Sequence, residues 1–490
     1  MDLHQQIIQL LQEIKPGQSQ MTNTAYDTAW VARLFELGEP IAEDALSWLR
    51  HHQLADGSWG AEAPLYHHDR LICTLAAMIA LARRGLEHDK VRIKHGLAAL
   101  EIHWSQLADD PAGETIAFEM LFPTLMVEAQ SLGLINRPYN FLDNMARIRE
   151  VKLARSPKQM ISRLVSMVFS AEMAGGDGVH LLDTENLQEA NGSVGFSPSA
   201  TAYFSLFVDN DNGQALEYLR GLPVYKGGVP NVFPIDVFEA AWTLQNLSLI
   251  TSLDDEIIAQ CQPHLDFLEG DWEPNNGMGY AAGCAIRDSD GTSVVYETLT
   301  HFGRQADLKT ILSYEKDDHF RCFHLEANPS VSANIHVLGA LNRAGLKLSH
   351  PSVQKVRQFL YRKQTRKGFW VDKWHASPYY PTAHTIIAGT EYDKDLVAKA
   401  VAWILNTQRD DGAWGYYYMP TAEETAYCLQ ALVIWQRCGG DVPLEVLRRG
   451  ASWLQAHIEL PYPPLWIGKC LYAPMKVIRS TILSALLLTS

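Results

Sequence analysis

The 490-residue chain has few cysteines, no long apolar run and no excess of basic charge. Its seven cysteines (Cys73, Cys261, Cys284, Cys322, Cys428, Cys438 and Cys470) are odd in number, scattered, and contain no Cys-x-x-Cys pair. That argues against a disulfide framework or a cysteine-based zinc site and for a reduced, cytoplasmic protein. The longest apolar stretches, from Leu71 and at the C-terminus, fall short of the roughly 18 residues a membrane span requires. The N-terminus lacks the basic start and apolar run of a signal peptide. Lys plus Arg total 41 against 56 Asp plus Glu, a formal charge of −15, which is the wrong sign for a nucleic-acid footprint. A small anionic ligand remains allowed, held in a local basic pocket or bridged by a divalent cation. Alternating strand patterns of any length are also absent.

What is present is helix. Segments such as IAEDALSWLRH from Ile41, AKAVAWILNTQ from Ala398 and TAYCLQALVIWQRC from Thr425 place apolar residues at three- and four-residue steps, which predicts an all-α fold. The Gly- and Pro-rich stretch GLPVYKGGVPNVFPID from Gly221 reads as a domain junction. The chain is also rich in tryptophan, with 13. Part of that count belongs to a repeat: aromatic, four residues, Gln, three residues, Gly, one residue, Trp. It occurs at Trp48/Gln53/Gly57/Trp59, Phe359/Gln364/Gly368/Trp370 and Trp403/Gln408/Gly412/Trp414, and Trp453 opens a degenerate copy with Ile458 in place of Gln. Such a unit joins a helix end, a tight turn and the next helix, with the Gln amide bonding backbone and the Trp covering the turn. Repeated hairpins of this kind close into solenoids or double-layered α/α barrels.

The repeat, spelled QLADGSWG and QRDDGAWG, resembles the QW motif of the terpene cyclase family. AYDTAWVARL from Ala25, FEMLFPTLMVEA from Phe118, GSVGFSPSATAY from Gly192, GGVPNVFPIDVFEAAW from Gly227 and TAEETAYCLQAL from Thr421 resemble segments of class II diterpene cyclases. In length, and in DKWHASPYYPTAH and NTQRDDGAWG, the chain is most similar to bacterial halimadienyl (tuberculosinyl) diphosphate synthases, with kolavenyl-type clerodane synthases also close. The resemblance implies two α/α barrel domains: residues 1–21 as the first helix of a β domain, 22–220 as an inserted γ domain, and 221–490 as the rest of β. It implies an isomerase that protonates geranylgeranyl diphosphate and closes two rings with the diphosphate retained. A separate enzyme would then process the product, and a homodimer is among the allowed states.

The family carries a D-x-D-D acid motif. Here DSDGTSVVYETL offers Asp288 and Asp290 at the corresponding place, with Gly291 where the fourth carboxylate stands. The same string before a helix also describes a cap or turn. An acid able to protonate an alkene needs burial and a second carboxyl nearby, both of which oppose ionisation. By resemblance Asp290 is the donor, Asp288 supports it, Asn334 holds it by its amide, and His336 lies close by. A carbocation requires aromatic faces and no nucleophile, for which Trp272, Trp370, Trp374, Tyr379 and Tyr380 are candidates. His384 is a further candidate for the pocket and, with His375, for the terminating base. Lys152 and Lys373 are the diphosphate candidates by resemblance. Asp109, Asp110 and Glu114, before the FE-x-x-x-P string, offer hard oxygen ligands for Mg²⁺. The D-D-x-x-D motif of ionising synthases is missing.

Alternatives of other kinds remain open on sequence. One is a labdane-type (copalyl) diphosphate synthase. Others are a squalene-hopene-type triterpene cyclase, a protein prenyltransferase β subunit and a noncatalytic helical scaffold.

Overall fold

The computed structural model describes residues 2–135, 140–155, 157–326 and 328–490. The chain divides into two compact units: a larger one made of Met1–Gln20, Pro234–Tyr462 and Pro474–Ser490, and a smaller one made of Met21–Phe233 and Pro463–Ala473. Both are helical, and among the described residues the named strands make two short antiparallel ladders, Asn23–Thr24 on Val229–Pro230 and Trp466–Ile467 on Leu471–Tyr472. Among the described residues no helix is long and apolar enough to cross a membrane.

In the larger unit six helices touch in a closed cycle: Asp236–Ser248, Ser289–His301, Val331–Arg343, Tyr379–Gly389, Ala422–Arg437 and Met475–Thr489, the last returning to the first. These are apolar nearly all round, as an inner ring requires; Val331 to Leu341 is buried without a break. Leu3–Glu13, Asp255–Asp271, Pro351–Lys363, Lys394–Asn406 and Leu444–Ala456 pack outside it, each burying one stripe and exposing the other. The result is an α/α barrel.

The smaller unit repeats the plan with a shorter cycle. Ala25–Ala32, His67–Arg84, Phe118–Ser131, the 3₁₀ stretch Ser166–Ala174 and Pro198–Phe207 form its inner ring. Its limits differ from those expected. Residues 221–233 pack with it because Val229 and Pro230 pair with Thr24 and Asn23 and the Tyr218 hydroxyl donates to Phe233 O at 2.8 Å. Pro463–Ala473 also belongs to it: Ile116 N–H donates to Gly468 O and Leu471 N–H to Asp69 Oδ1.

The Trp repeats are the fasteners between consecutive hairpins. In each copy the Gln amide donates to the turn-glycine carbonyl at 2.9 Å and to a carbonyl of the next outer helix: Arg92, Leu396 and Val446 respectively. The indole N–H reaches back to Leu49, Leu360 or Ile404 O at 2.7–2.8 Å. The glycines have positive φ, and a Cβ at Gly368 would stand 2.6 Å from Lys399 O, so no other residue fits. Sequence spacing missed a further copy in the smaller unit. Gln188 donates to Gly192 O at 2.8 Å, and Val194 N–H bonds Thr201 Oγ1 as Trp414 N–H bonds Thr425 Oγ1. Val194 replaces the tryptophan, which hid the repeat.

Candidate active site

The Ser289–His301 helix begins at Asp288, whose extended backbone and Oδ1, accepting from Gly291 N–H at 2.6 Å, make it the N-cap. The cap reading and the acid reading are therefore both realised in one motif. Burial, and then the charge of Asp290, push the Asp288 carboxyl up to about 7, against the pull of the Gly291 and Asp290 N–H groups. The Asp288 carboxyl therefore retains its proton close to neutrality.

Asp290, in the first turn, keeps 17% of its side chain exposed, while its partner His336 keeps 2%. His336 Nδ1 lies 2.6 Å from Asp290 Oδ1. Its Nε2 lies 3.1 Å from His384 Nδ1. Burial alone would depress the His336 ring, but the charge and hydrogen bond of Asp290, helped by Glu297 and Asp372, raise its pKa above the ordinary value. His384 shifts the opposite way, lowered by burial and by the charges of His336 and His375. The consistent proton assignment is a cationic His336 donating from both nitrogens, to Asp290 and to neutral His384.

Aromatic rings surround this pair. Trp242 stands edge-on to His336 at 5.7 Å and directs its N–H toward the Tyr380 hydroxyl at 3.4 Å. Tyr380 lies 4.4 Å from the His384 ring and 5.3 Å from Tyr427, and is stacked on His375 at 4.8 Å. His375 in turn faces Glu423 at 3.3 Å.

The squalene-hopene cyclase C-terminal domain model matches residues 323–461. The chain is 44% identical over 477 residues, 95% of both chains, to a type B diterpene cyclase of Mycobacterium tuberculosis. The chain belongs to the diterpene cyclase family. It is also 33% identical to a Streptomyces ent-copalyl diphosphate synthase, over 91% of this chain and 88% of that one. The solved ent-copalyl diphosphate synthase from Streptomyces platensis superposes with a TM-score of 0.80 at 29% identity, covering 99% of each chain. The protein is a class II diterpene cyclase, an isomerase with the helical barrel fold of that family.

Several of the residues expected at the cyclase site make contacts other than those expected of them. Asn334 does not reach Asp290. Its amide is spent on Phe320 N–H, Phe320 O and Ser330 O, each at 2.8 Å, and so fixes the loop whose Cys322 carbonyl receives Ser289 N–H. The Asp290 contact expected of Asn334 belongs to His336. Trp370 is a repeat fastener, fully buried on Leu360 O. Tyr379 faces Trp403 at 4.6 Å, between the inner and outer helices. Trp272 ends the Asp255–Asp271 helix with its N–H on Asp307. Trp374 forms a separate group with Phe323 and Lys373.

Lys373 pairs with Glu326 at 2.5 Å and bonds Asn328 O; Lys152, in the smaller unit, pairs with Glu119 at 2.7 Å. The acidic run does not fit a magnesium site. Asp110 is buried with its oxygens committed to the His67 and His68 N–H groups and the His68 ring. Asp109 is exposed. Burial and the charge of Glu119 raise the Glu114 carboxyl. Among the described residues the one group of three ligand atoms within 4.8 Å is Asp69, Cys73 and Cys470, and there Asp69 already accepts Leu471 and Ala61 N–H groups.

Sequence reasoning missed Trp242, Tyr427 and Glu297. Trp242 and Tyr427 lie inside quoted family strings and carry no motif of their own. Glu297 had a findable signal: seven residues after Asp290, it shares that helix face.

Proposed function

We propose that the cyclase protonates the distal alkene of geranylgeranyl diphosphate from Asp290 and closes two rings, keeping the diphosphate. The observation that carries this is the 2.6 Å contact of a buried His336, itself ringed by aromatic side chains, with an Asp290 that stays partly exposed. His336 donates to Oδ1, so Oδ1 serves as the carbonyl oxygen of the acid and Oδ2 carries the transferable proton. An adjacent imidazolium makes that proton more acidic, and Asp288, pushed up to about 7 by burial and the charge of Asp290, keeps a proton of its own beside it. The alkene π electrons take the proton, leaving a tertiary cation that the next two double bonds attack in turn, one ring bond forming at each attack. Trp242, Tyr380 and Tyr427 present ring faces and edges, each suitable face contributing roughly 0.5–2 kcal/mol of cation stabilisation. A final proton loss restores a neutral hydrocarbon skeleton; His384 is the weaker base candidate, because its one lone pair, on Nδ1, already accepts from His336.

Lys373 is the diphosphate candidate of the same unit, exchanging Glu326 for phosphate oxygens. No step runs through magnesium. The resemblance in length and in the DKWHASPYYPTAH string supports a rearranged halimane or clerodane skeleton. The similarity to two ent-copalyl diphosphate synthases supports the unrearranged labdane as the second reading.

The test is Asp290→Asn. A folded protein converting geranylgeranyl diphosphate to no cyclised product is expected, read by gas chromatography and NMR of the dephosphorylated product. Near-normal turnover would remove Asp290 from its role, and turnover of squalene instead would replace the substrate.

A further inference from the structure

His336 polarises Asp290 only while both of its nitrogens carry protons, so something must hold the second proton as pH rises. Several groups face or act on the ring. Asp290 and Glu297 come from the Ser289–His301 helix and His384 and Tyr380 from Tyr379–Gly389. Trp242 comes from Asp236–Ser248 and Asp372 from the segment after Trp370; Arg343, on the ring's own helix, acts on Glu297. Asp290 changes its own charge during the reaction. Asp372 is consumed by the Val331, Ser332 and Trp374 N–H groups and the Ser330 and Ser332 hydroxyls. Glu297 is the carboxylate left to act throughout the cycle.

Its placement is specific. Glu297 follows Asp290 by two turns on one helix face, and its carboxylate is pressed against Gly339, three residues beyond His336 on the facing helix. A Cβ at Gly339 would stand 2.5 Å from Oε1 and 2.8 Å from Oε2, so the missing side chain is what admits the carboxylate. Gln245 Nε2 donates to Oε2 at 3.2 Å. An enclosed carboxylate supported in this way costs stability, and an apolar side chain would serve packing better.

We propose that Glu297 is a positioning carboxylate, which keeps His336 doubly protonated and donating to Asp290 and thereby sets how far up in pH the acid works. This rests on the Asp290 assignment above. Burial, opposed by His336, Gln245 and Arg343, pushes the Glu297 carboxyl up to about 7. Its negative charge therefore grows over the range in which His336 would otherwise lose a proton.

The experiment is the pH profile of kcat for Glu297→Gln, beside histidine ¹⁵N NMR of the same protein. The alkaline limb should move down by about one pH unit, so that the loss of kcat deepens with pH and reaches about tenfold at the wild-type limb. The His336 imidazolium signal should disappear at correspondingly lower pH, while Glu297→Asp restores both. Gly339→Ala, which displaces the carboxylate, should shift the limb the same way and serves if Glu297→Gln does not fold. An unchanged limb together with an unchanged His336 titration overturns the proposal even if kcat falls uniformly. The NMR titration reads His336 without turnover, so an active Asp290→Asn variant would sink the acid assignment separately.

Discussion

Each unit closes a ring of helices over a buried pair of cation and carboxylate, and the two pairs differ in what else they bind. In the smaller unit Lys469, fully buried on the Pro463–Ala473 segment, spends its three N–H donors on Glu172 Oε1 at 2.6 Å and on the Ser197 and Ser199 hydroxyls at 2.7 Å. The Tyr26 hydroxyl closes the set on Glu172 at 3.0 Å. Every proton on that cation has a fixed acceptor. In the larger unit the cation is a titratable ring, its carboxylate is open on one side, and a second carboxyl holds a proton to about 7. A cation whose protons are all taken fastens chain to chain; a titratable one has a proton to give.

The comparison breaks most sharply at its cations. Lys469→Met leaves Glu172 buried without its charge partner, which should cost about 3–5 kcal/mol. Denaturant unfolding should show that loss, while turnover per folded molecule stays close to wild type. His336→Phe reverses the pattern. Asp290 is open enough to be solvated or neutral, so stability should change little, but kcat should fall by about 10² to 10⁴. If His336→Phe unfolds the protein and Lys469→Met removes turnover without affecting stability, the division between fastening and chemistry is wrong.

The fastenings were the part most legible in sequence, because each copy uses the same three residue types at fixed spacing for local bonds. The barrel plan followed from them, and Asp288 and Asp290 from a short string. What escaped was whatever depends on facing helices. Asn334 lies two residues before His336, and only the helix orientation decides which of them points at Asp290. Trp370 and Tyr380 lie in one aromatic-rich stretch, yet one packs behind a turn and the other beside His336. The Gln188 copy was hidden because its defining hydrogen bonds survive the loss of tryptophan. That copy separates the two parts of a fastener: Gln408→Leu should cost roughly 1–3 kcal/mol by orphaning the Gly412 carbonyl and removing the amide's bond to Val446 on the next helix. Gln188→Leu should cost a comparable amount without any tryptophan nearby to lose. A tenfold smaller effect at Gln188 would mean that the indole, and not the amide, carries the joint.

The smallest effect is expected within the acid motif itself, at Gly291, where the family pattern has a third carboxylate. Gly291 has no positive φ, and a Cβ built there would lie 3.4 Å from Asp288 Oδ1, close but without a backbone clash. What the position supplies is its N–H, the donor that holds Asp288 as the helix cap at 2.6 Å. Gly291→Ala keeps that donor and removes backbone freedom from the first turn. Stability should rise by up to about 1 kcal/mol, and kcat should stay within about threefold of wild type. A large loss of turnover with the fold intact would show that the cyclase uses the space above Gly291, for water or for substrate, where an acid stands in the family pattern.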